Sequence, residues 1–192
     1  MSIYLGGHRE LTLEFVSSVV KAGVIGGEVY VAEDTSGVIV GASVWFTPGQ
    51  DFLDSEEQRS AGYDKIMAKL AETSPKMSAW WTEYFNRHAA ETFKNAFGDS
   101  HYGVNCWHLY LVGVQPSLQR RGIATALMDD AEARIRAHPE SNEHARTIIL
   151  GTSTDGKFYE KRGFTKKGEF DVKSIEELNE PLTTRYYSKI VE

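Results

Sequence analysis

The stretch Gln119-Arg120-Arg121-Gly122-Ile123-Ala124-Thr125 joins an apolar run to an amphipathic one, and its residue types suit the grip of an anion. The first amides of a helix have no partner within it, and the helix dipole favours negative charge at that end. Gly122 removes the Cβ that would hold a bulky phosphate away from the main chain, and Arg120 and Arg121 supply positive charge beside it. The turn lacks a Gly-Lys-Ser/Thr ending and an acidic strand end for magnesium, so it is not a nucleotide P-loop. It also lacks the three glycines of the Gly-x-Gly-x-x-Gly order that marks a dinucleotide site. The single cysteine, Cys106, cannot make an internal disulfide or a cysteine-based metal site. Beside Trp107 it reads as a small buried hydrophobe rather than a nucleophile.

These residues need elements to hold them. "WHLYLVGV" (107–114) is nearly continuously apolar, as a central strand covered on both faces would be, and Pro116 ends it. Ala124, Leu127, Met128, Ala131 and Ile135 then recur at the helical period, with Asp129, Asp130, Glu132 and Arg134 facing outward. After the loop "AHPESNEHAR", "TIILG" reads as a second buried strand, so strand, helix and strand predict a right-handed parallel crossover. A short helix around Phe158 to Arg162, a strand from Phe164 and a last strand around "TTRYYSKIV" complete the chain. Upstream, Leu11, Phe15, Val16, Val19 and Val20 predict a helix over 8–22 stopped at Gly23. "EVYVAEDTSGVIVGASVWFTPG" predicts a hairpin turning at Asp34 to Gly37. Between about 50 and 100, a Ser55/Gln58 capping box and Ser74-Pro75 introduce two helices, the second an aromatic run from Met77 to Phe97 closed by Gly98. Its Trp80, Trp81, Tyr84, Phe85 and Phe93 read as core.

A chain of 192 residues, 41% hydrophobic, is enough for one domain over 1–192 carrying the insertion at about 50–100. The net charge of −6 argues against nucleic acid, which usually needs a basic face. The basic clusters "QRRG" and "KFYEKRGFTKK" still leave room for a small anion. The apolar runs are too short to span a bilayer, and the start lacks the pattern of a secretory signal, so a cytoplasmic protein is expected.

On "LVGVQPSLQRRGIATALM" and "FYEKRGF", with "GEVYVAEDTSGVIVGASVWF" as the preceding hairpin, residues from about 30 to 170 resemble the GNAT superfamily of acetyl-CoA-dependent N-acetyltransferases. The string W-x-L-x-x-V-G-V-x-P and the helical insertion are similar to its antibiotic-modifying, puromycin-type branch and related fungal or bacterial members. Three departures stand out. Ala124 replaces a second glycine, "GTSTDGK" stands where an asparagine often precedes the last helix, and no strand precedes the first helix. The resemblance implies an α+β (α/β) GNAT fold, a central mixed twisted sheet whose parallel central strands splay apart between flanking helices.

It further implies that the main chain of Val112, Gly113 and Val114 pairs with the pantetheine arm of acetyl-CoA, the Val112 N–H holding the thioester carbonyl. The amides of Gln119, Arg120, Arg121, Gly122, Ile123, Ala124 and Thr125 would hold the pyrophosphate, and Ser153 joins the same cofactor set. Tyr159 matches the tyrosine that protonates the departing thiolate in many members. A primary amine near pKa ~10.4 must lose a proton before it attacks. In several members a base stands at the position of His108, which strand alternation would put with Tyr110 on the same face as Val112. Glu83 or Asp51 acting through water are alternatives.

The implied activity is transfer of an acetyl group to a primary amine of a small molecule by direct attack, without metal, nucleic acid or membrane. The acidic balance favours a cationic acceptor. A non-catalytic acyl-CoA-binding module is a competing reading. A peptide or protein N-acetyltransferase is another, less suited to a helical lid. Trp45, Phe46, Trp80, Trp81 and His88 are candidates for the acceptor pocket or plain core. The chain is expected to be a monomer or a homodimer, with an exposed strand at the C-terminal edge available for pairing.

Overall fold

The computed structural model describes residues 3–5, 7–99, 101–139, 143–173, 175 and 182–192. Residues 140–142 of the predicted 137–146 loop lie outside them. Two short 3₁₀ turns (Ile3–Leu5, Arg9–Leu11) lead into α1 (Thr12–Gly26), and no strand precedes it among the described residues. The predicted stop at Gly23 is corrected, because α1 runs three residues beyond it. A Cβ at Gly23 would lie 2.4 Å from Val44 Cγ1, so this glycine serves the close approach of helix to sheet.

β1 (Glu28–Glu33) and β2 (Ile39–Phe46) form the expected hairpin. Its turn is fastened by Asp34, whose Oδ1 accepts from the N–H groups of Ser36 (2.8 Å) and Val38 (3.1 Å). In the insertion, Ser55 caps a single turn (Glu56–Gln58), Gln58 N–H donating to its hydroxyl at 3.1 Å. A wide π-type turn (Arg59–Tyr63) leads into α2 (Asp64–Thr73). The aromatic run begins with Pro75 at the first turn of α3 (Pro75–Ala79), widens through Trp80–Phe85 and finishes as α4 (Asn86–Phe97), closed by left-handed Gly98.

β3 (Trp107–Val114), α5 (Ile123–Ala137) and β4 (Thr147–Thr152) follow, then α6 (Lys157–Glu160), β5 (Thr165–Val172) and β6 (Leu182–Ile190). Among the described residues, six strands lie in the order β1-β2-β3-β4-β6-β5, with only the β3–β4 pair parallel. The C-terminal strand is therefore interior. The exposed C-terminal edge expected from the sequence is corrected to β5, and α4 packs there so closely that a Cβ on Gly168 would meet Ala96 at 3.1 Å.

One face of the sheet carries α5, whose Met128, Ala131 and Ile135 bury against Trp45, Trp107, Leu109, Ile148 and Leu150. The other carries α1, with Val19 against Val44 and Phe46. The insertion makes a third cluster, in which Leu70, Met77, Trp80 and Trp81 pack on Leu5, Leu11 and Val172. Both buried indoles find acceptors, Trp80 at Lys173 O (2.6 Å) and Trp81 at Tyr4 O (2.8 Å). No helix among the described residues is long and apolar enough to cross a membrane.

Candidate active site

β3 and β4 pair only at Trp107↔Ile148, His108↔Ile149 and Leu109↔Leu150, and beyond Leu109 they part. The far half of β3 keeps its other partner, since Gly41 to Val44 of β2 still pair with Val114 to Leu111. Gln115 N–H donates to Val40 O at 2.9 Å. That bond sets the phase of the ladder: Gln115, Gly113 and Leu111 turn their polar groups to β2, while those of Val112 and Val114 face the split. An apolar strand that reads as fully covered is thus half open, with Tyr110 and Gly113 exposed.

The α5 end of the split is built for an anion. Arg120 (φ 65°) and Gly122 (φ 85°) both adopt left-handed backbone, the kind of turn in which successive N–H groups converge. Among the described residues the amides from Arg120 to Thr125 donate to no acceptor, and the first one satisfied is Ala126, to Gly122 O at 2.9 Å. A Cβ at Gly122 would meet nothing within 4 Å, so the space before these amides is open. The side chains of Arg120 and Arg121 are exposed beside it.

Tyr159 is brought to the α5 face by α6, which begins at left-handed Gly156. The position admits nothing larger, because a Cβ there would overlap the Tyr187 hydroxyl. Tyr187 Oη donates to Glu160 at 2.9 Å, pinning α6 to β6. Arg162 pins it to α5 through Asp129 (2.6 Å) and Glu132 (3.0 Å). Glu132, read from the sequence as outward, is in fact buried, and Lys189 of β6 joins it at 2.7 Å. Burial pushes the Tyr159 phenol up to about 12, so it keeps its proton at neutral pH.

His108 requires a correction. A β-bulge between Val44 and Trp45 leaves Tyr110 without a partner on β2, and an extra residue breaks the alternation. Trp107 and Leu109 face α5, whereas His108 pairs opposite Phe46 and packs with Tyr110 (5.2 Å between rings) on the α1 face. Val112 packs against the α5-side core, so His108 and Tyr110 share a face with Leu111 and not with Val112. Burial pushes the imidazole down to about 4, with no hydrogen-bond partner among the described residues. It is neutral at pH 7 with its ring nitrogens free.

Ser153 follows β4 and is hydrogen-bonded to the Tyr4 hydroxyl, which also meets Thr184 Oγ1 at 3.2 Å. Trp45 and Phe46 are fully buried core, Trp80 and Trp81 belong to the insertion cluster, and His88 is held through Nδ1 to Tyr84 O at 2.8 Å. Cys106 is buried, its thiol pushed up to about 12 by burial, which leaves it no nucleophilic thiolate at neutral pH. Sequence reasoning missed Phe52, Tyr63 and Tyr4, whose contacts with Tyr110, Phe52 and Ser153 join segments far apart in the chain or set by the fold.

A mixed sheet split between its two parallel strands thus adjoins a cradle of amides, unpaired among the described residues, at the start of the neighbouring helix. A family model described as Acetyltransferase (GNAT) domain matches residues 64–174, more than half of the chain, and the chain belongs to that family. Its members use acetyl-CoA as acyl donor. No protein of curated function matches the sequence. Among solved structures, an agmatine N-acetyltransferase mutant is similar over 98% of this chain and 86% of its own, at 14% identity and a TM-score of 0.56. Arylalkylamine N-acetyltransferase 2 from Aedes aegypti is similar over 94% and 80%, at 10% identity and 0.56. The Drosophila melanogaster polyamine N-acetyltransferase is similar over 88% and 77%, at 14% identity and 0.54. These likenesses establish the shared fold.

Proposed function

We propose that the chain moves the acetyl group of acetyl-CoA onto the primary amine of a small molecule by direct attack, within one domain over 1–192 that carries the insertion. The observation that carries this reading is the split between β3 and β4, flanked at the start of α5 by six amides that are unpaired among the described residues.

The chain's groups fit the donor. The amides of Arg120 to Thr125, with Gln119 before them and the Arg120 and Arg121 side chains beside them, would hold the pyrophosphate. The main-chain groups of Val112 and the N–H of Val114, on either side of Gly113, would hold the pantetheine arm, while the Val114 carbonyl accepts from Gln119 Nε2 at 3.3 Å. Acetyl-CoA supplies the activated thioester. The Val112 N–H would donate to its carbonyl oxygen as negative charge grows there, a preorganised contact of roughly 3 kcal/mol. Tyr159 approaches from the α5 face and would give its proton to the leaving sulfur. His108 lies on the α1 face, where an amine would approach, and would take the proton the nitrogen sheds. Acid and base on opposite faces suit a reaction in which donor and acceptor meet in the split. Ser153, tied to Tyr4, would close the β4 side of the cofactor groove.

The acceptor is a small cationic amine, in keeping with the net charge of −6 and with the insertion covering the α1 side. Within the family, the W-x-L-x-x-V-G-V-x-P string and the insertion support a place near the puromycin-type branch. A cytoplasmic monomer or homodimer is the corresponding cellular form. Purified protein incubated with acetyl-CoA and a panel of amines should release free thiol only when an amine is present. Acetyl-CoA binding without thiol release across the panel would instead make the chain an acyl-CoA-binding module.

A further inference from the structure

On the α1 face, beside His108, a cluster of aromatic rings surrounds Tyr110, with the carboxylate of Asp51 next in the chain to one of them, Phe52. Tyr110 keeps 38% of its surface exposed although rings surround it: Phe52 at 4.1 Å, His108 at 5.2 Å and Phe46 at 5.7 Å. Tyr63 stands edge-on to Phe52 at 6.0 Å. Asp51 precedes Phe52 and accepts its N–H at 2.7 Å. Among the described residues no lysine, arginine or histidine pairs with Asp51. Its charge is nevertheless felt at the Tyr110 phenol. Burial, reinforced by Asp54, holds the Asp51 carboxyl above its ordinary range. A half-buried carboxylate without a counter-ion is unfavourable until a cation arrives.

The loop that carries Asp51 is held in a costly shape. Leu53 sits in the left-handed region at φ 62°, which residues other than glycine, asparagine and aspartate rarely adopt. Its N–H donates to Gln58 Oε1 at 2.7 Å, and its carbonyl accepts from Arg59 at 2.8 Å. Gln58 is itself buried. At the other end Gly49 N–H donates to Val104 O at 2.7 Å, just before β3. Strain kept in place by several clamps is characteristic of ligand-binding segments.

We infer that Asp51, walled by Phe52, Tyr63 and Tyr110, seats a second positive charge on the acceptor, so that the preferred substrate is a diamine or a guanidino-amine. This rests on the acetyl-transfer reading above. The aromatic rings add the attraction of π-faces for a cation, and Asp51 separates this acceptor from an uncharged aryl or alkyl monoamine, which the rings alone would serve. The reacting nitrogen then lies toward the split, beyond Tyr110.

The test is the ratio of kcat/KM for a linear diamine to that for the monoamine of equal chain length. The wild-type protein should favour the diamine by roughly tenfold or more. Asp51→Asn, which keeps an acceptor for the Phe52 N–H, should bring the ratio close to one, and Asp51→Glu should restore most of the preference. An unselective wild type, or a ratio unmoved in Asp51→Asn, overturns the inference while leaving acetyl transfer intact. Failure of the wild type to acetylate any amine overturns the acetyl-transfer reading and this inference with it.

Discussion

Replacing His108 by glutamine removes a titrating group from a buried position beside the Tyr110 ring, and the structure sets how stability should respond to pH. The ordinary imidazole titrates near 6.5, and burial pushes His108 down to about 4. Between those values the unfolded chain holds a proton that the native protein refuses, so lowering the pH favours unfolding. The penalty begins near pH 7, grows as pH falls through 6.5 and levels off near 4, where the native imidazole also protonates. At 1.36 kcal/mol per pKa unit it reaches about 3 kcal/mol at most, less to the extent that water enters beside Tyr110. The assay is urea unfolding of wild type and His108→Gln at pH 7, 6, 5 and 4. Taking the difference between the two proteins cancels the carboxylates that titrate in the same range. The wild type should lose ground on the variant steadily towards pH 4. A difference that stays constant would show that His108 titrates normally, and with that the neutral, unpartnered base would be lost. In turnover, the same substitution should lower kcat by roughly 10²–10⁴.

Tyr159→Phe should lower kcat by a comparable factor of roughly 10²–10⁴ while acetyl-CoA affinity, read by calorimetry, stays nearly unchanged; undiminished turnover would remove Tyr159 from the mechanism. Gly122→Ala forces a Cβ into left-handed backbone at φ 85°, so stability in urea should fall by roughly 1–2 kcal/mol. Acetyl-CoA binding should weaken as well, and unchanged affinity would argue against the amide cradle. Glu132→Ala leaves Arg162 and Lys189 without the buried carboxylate they share, and should destabilise the fold by roughly 3–5 kcal/mol. A shift in the urea midpoint equivalent to under 1 kcal/mol would mean that α6 is held otherwise. Cys106→Ala should keep its turnover within a small factor, and abolished transfer would reopen thiol chemistry.

The hairpin, the aromatic helix, the β3-α5-β4 unit and the glycine turn were legible in the chain because each depends on short-range rules: alternation, the helical period, capping, and the steric freedom of Gly122. The amide cradle belongs with them, since any helix start leaves its first N–H groups unpaired and position 122 tells where this one begins. The length of α1 was misread because a glycine at a helix–sheet contact looks the same in sequence as one at a helix end. Only the neighbour, Val44, tells them apart. Tertiary structure alone decided that β3 and β4 part after Leu109 and that a bulge at Tyr110 turns His108 away from Val112. It also decided that Phe52, Tyr63 and Tyr110 pack as one aromatic cluster beside Asp51. Strand pairing sets those facts, and pairing depends on partners 41 to 73 residues apart in the chain, whose register no local pattern encodes.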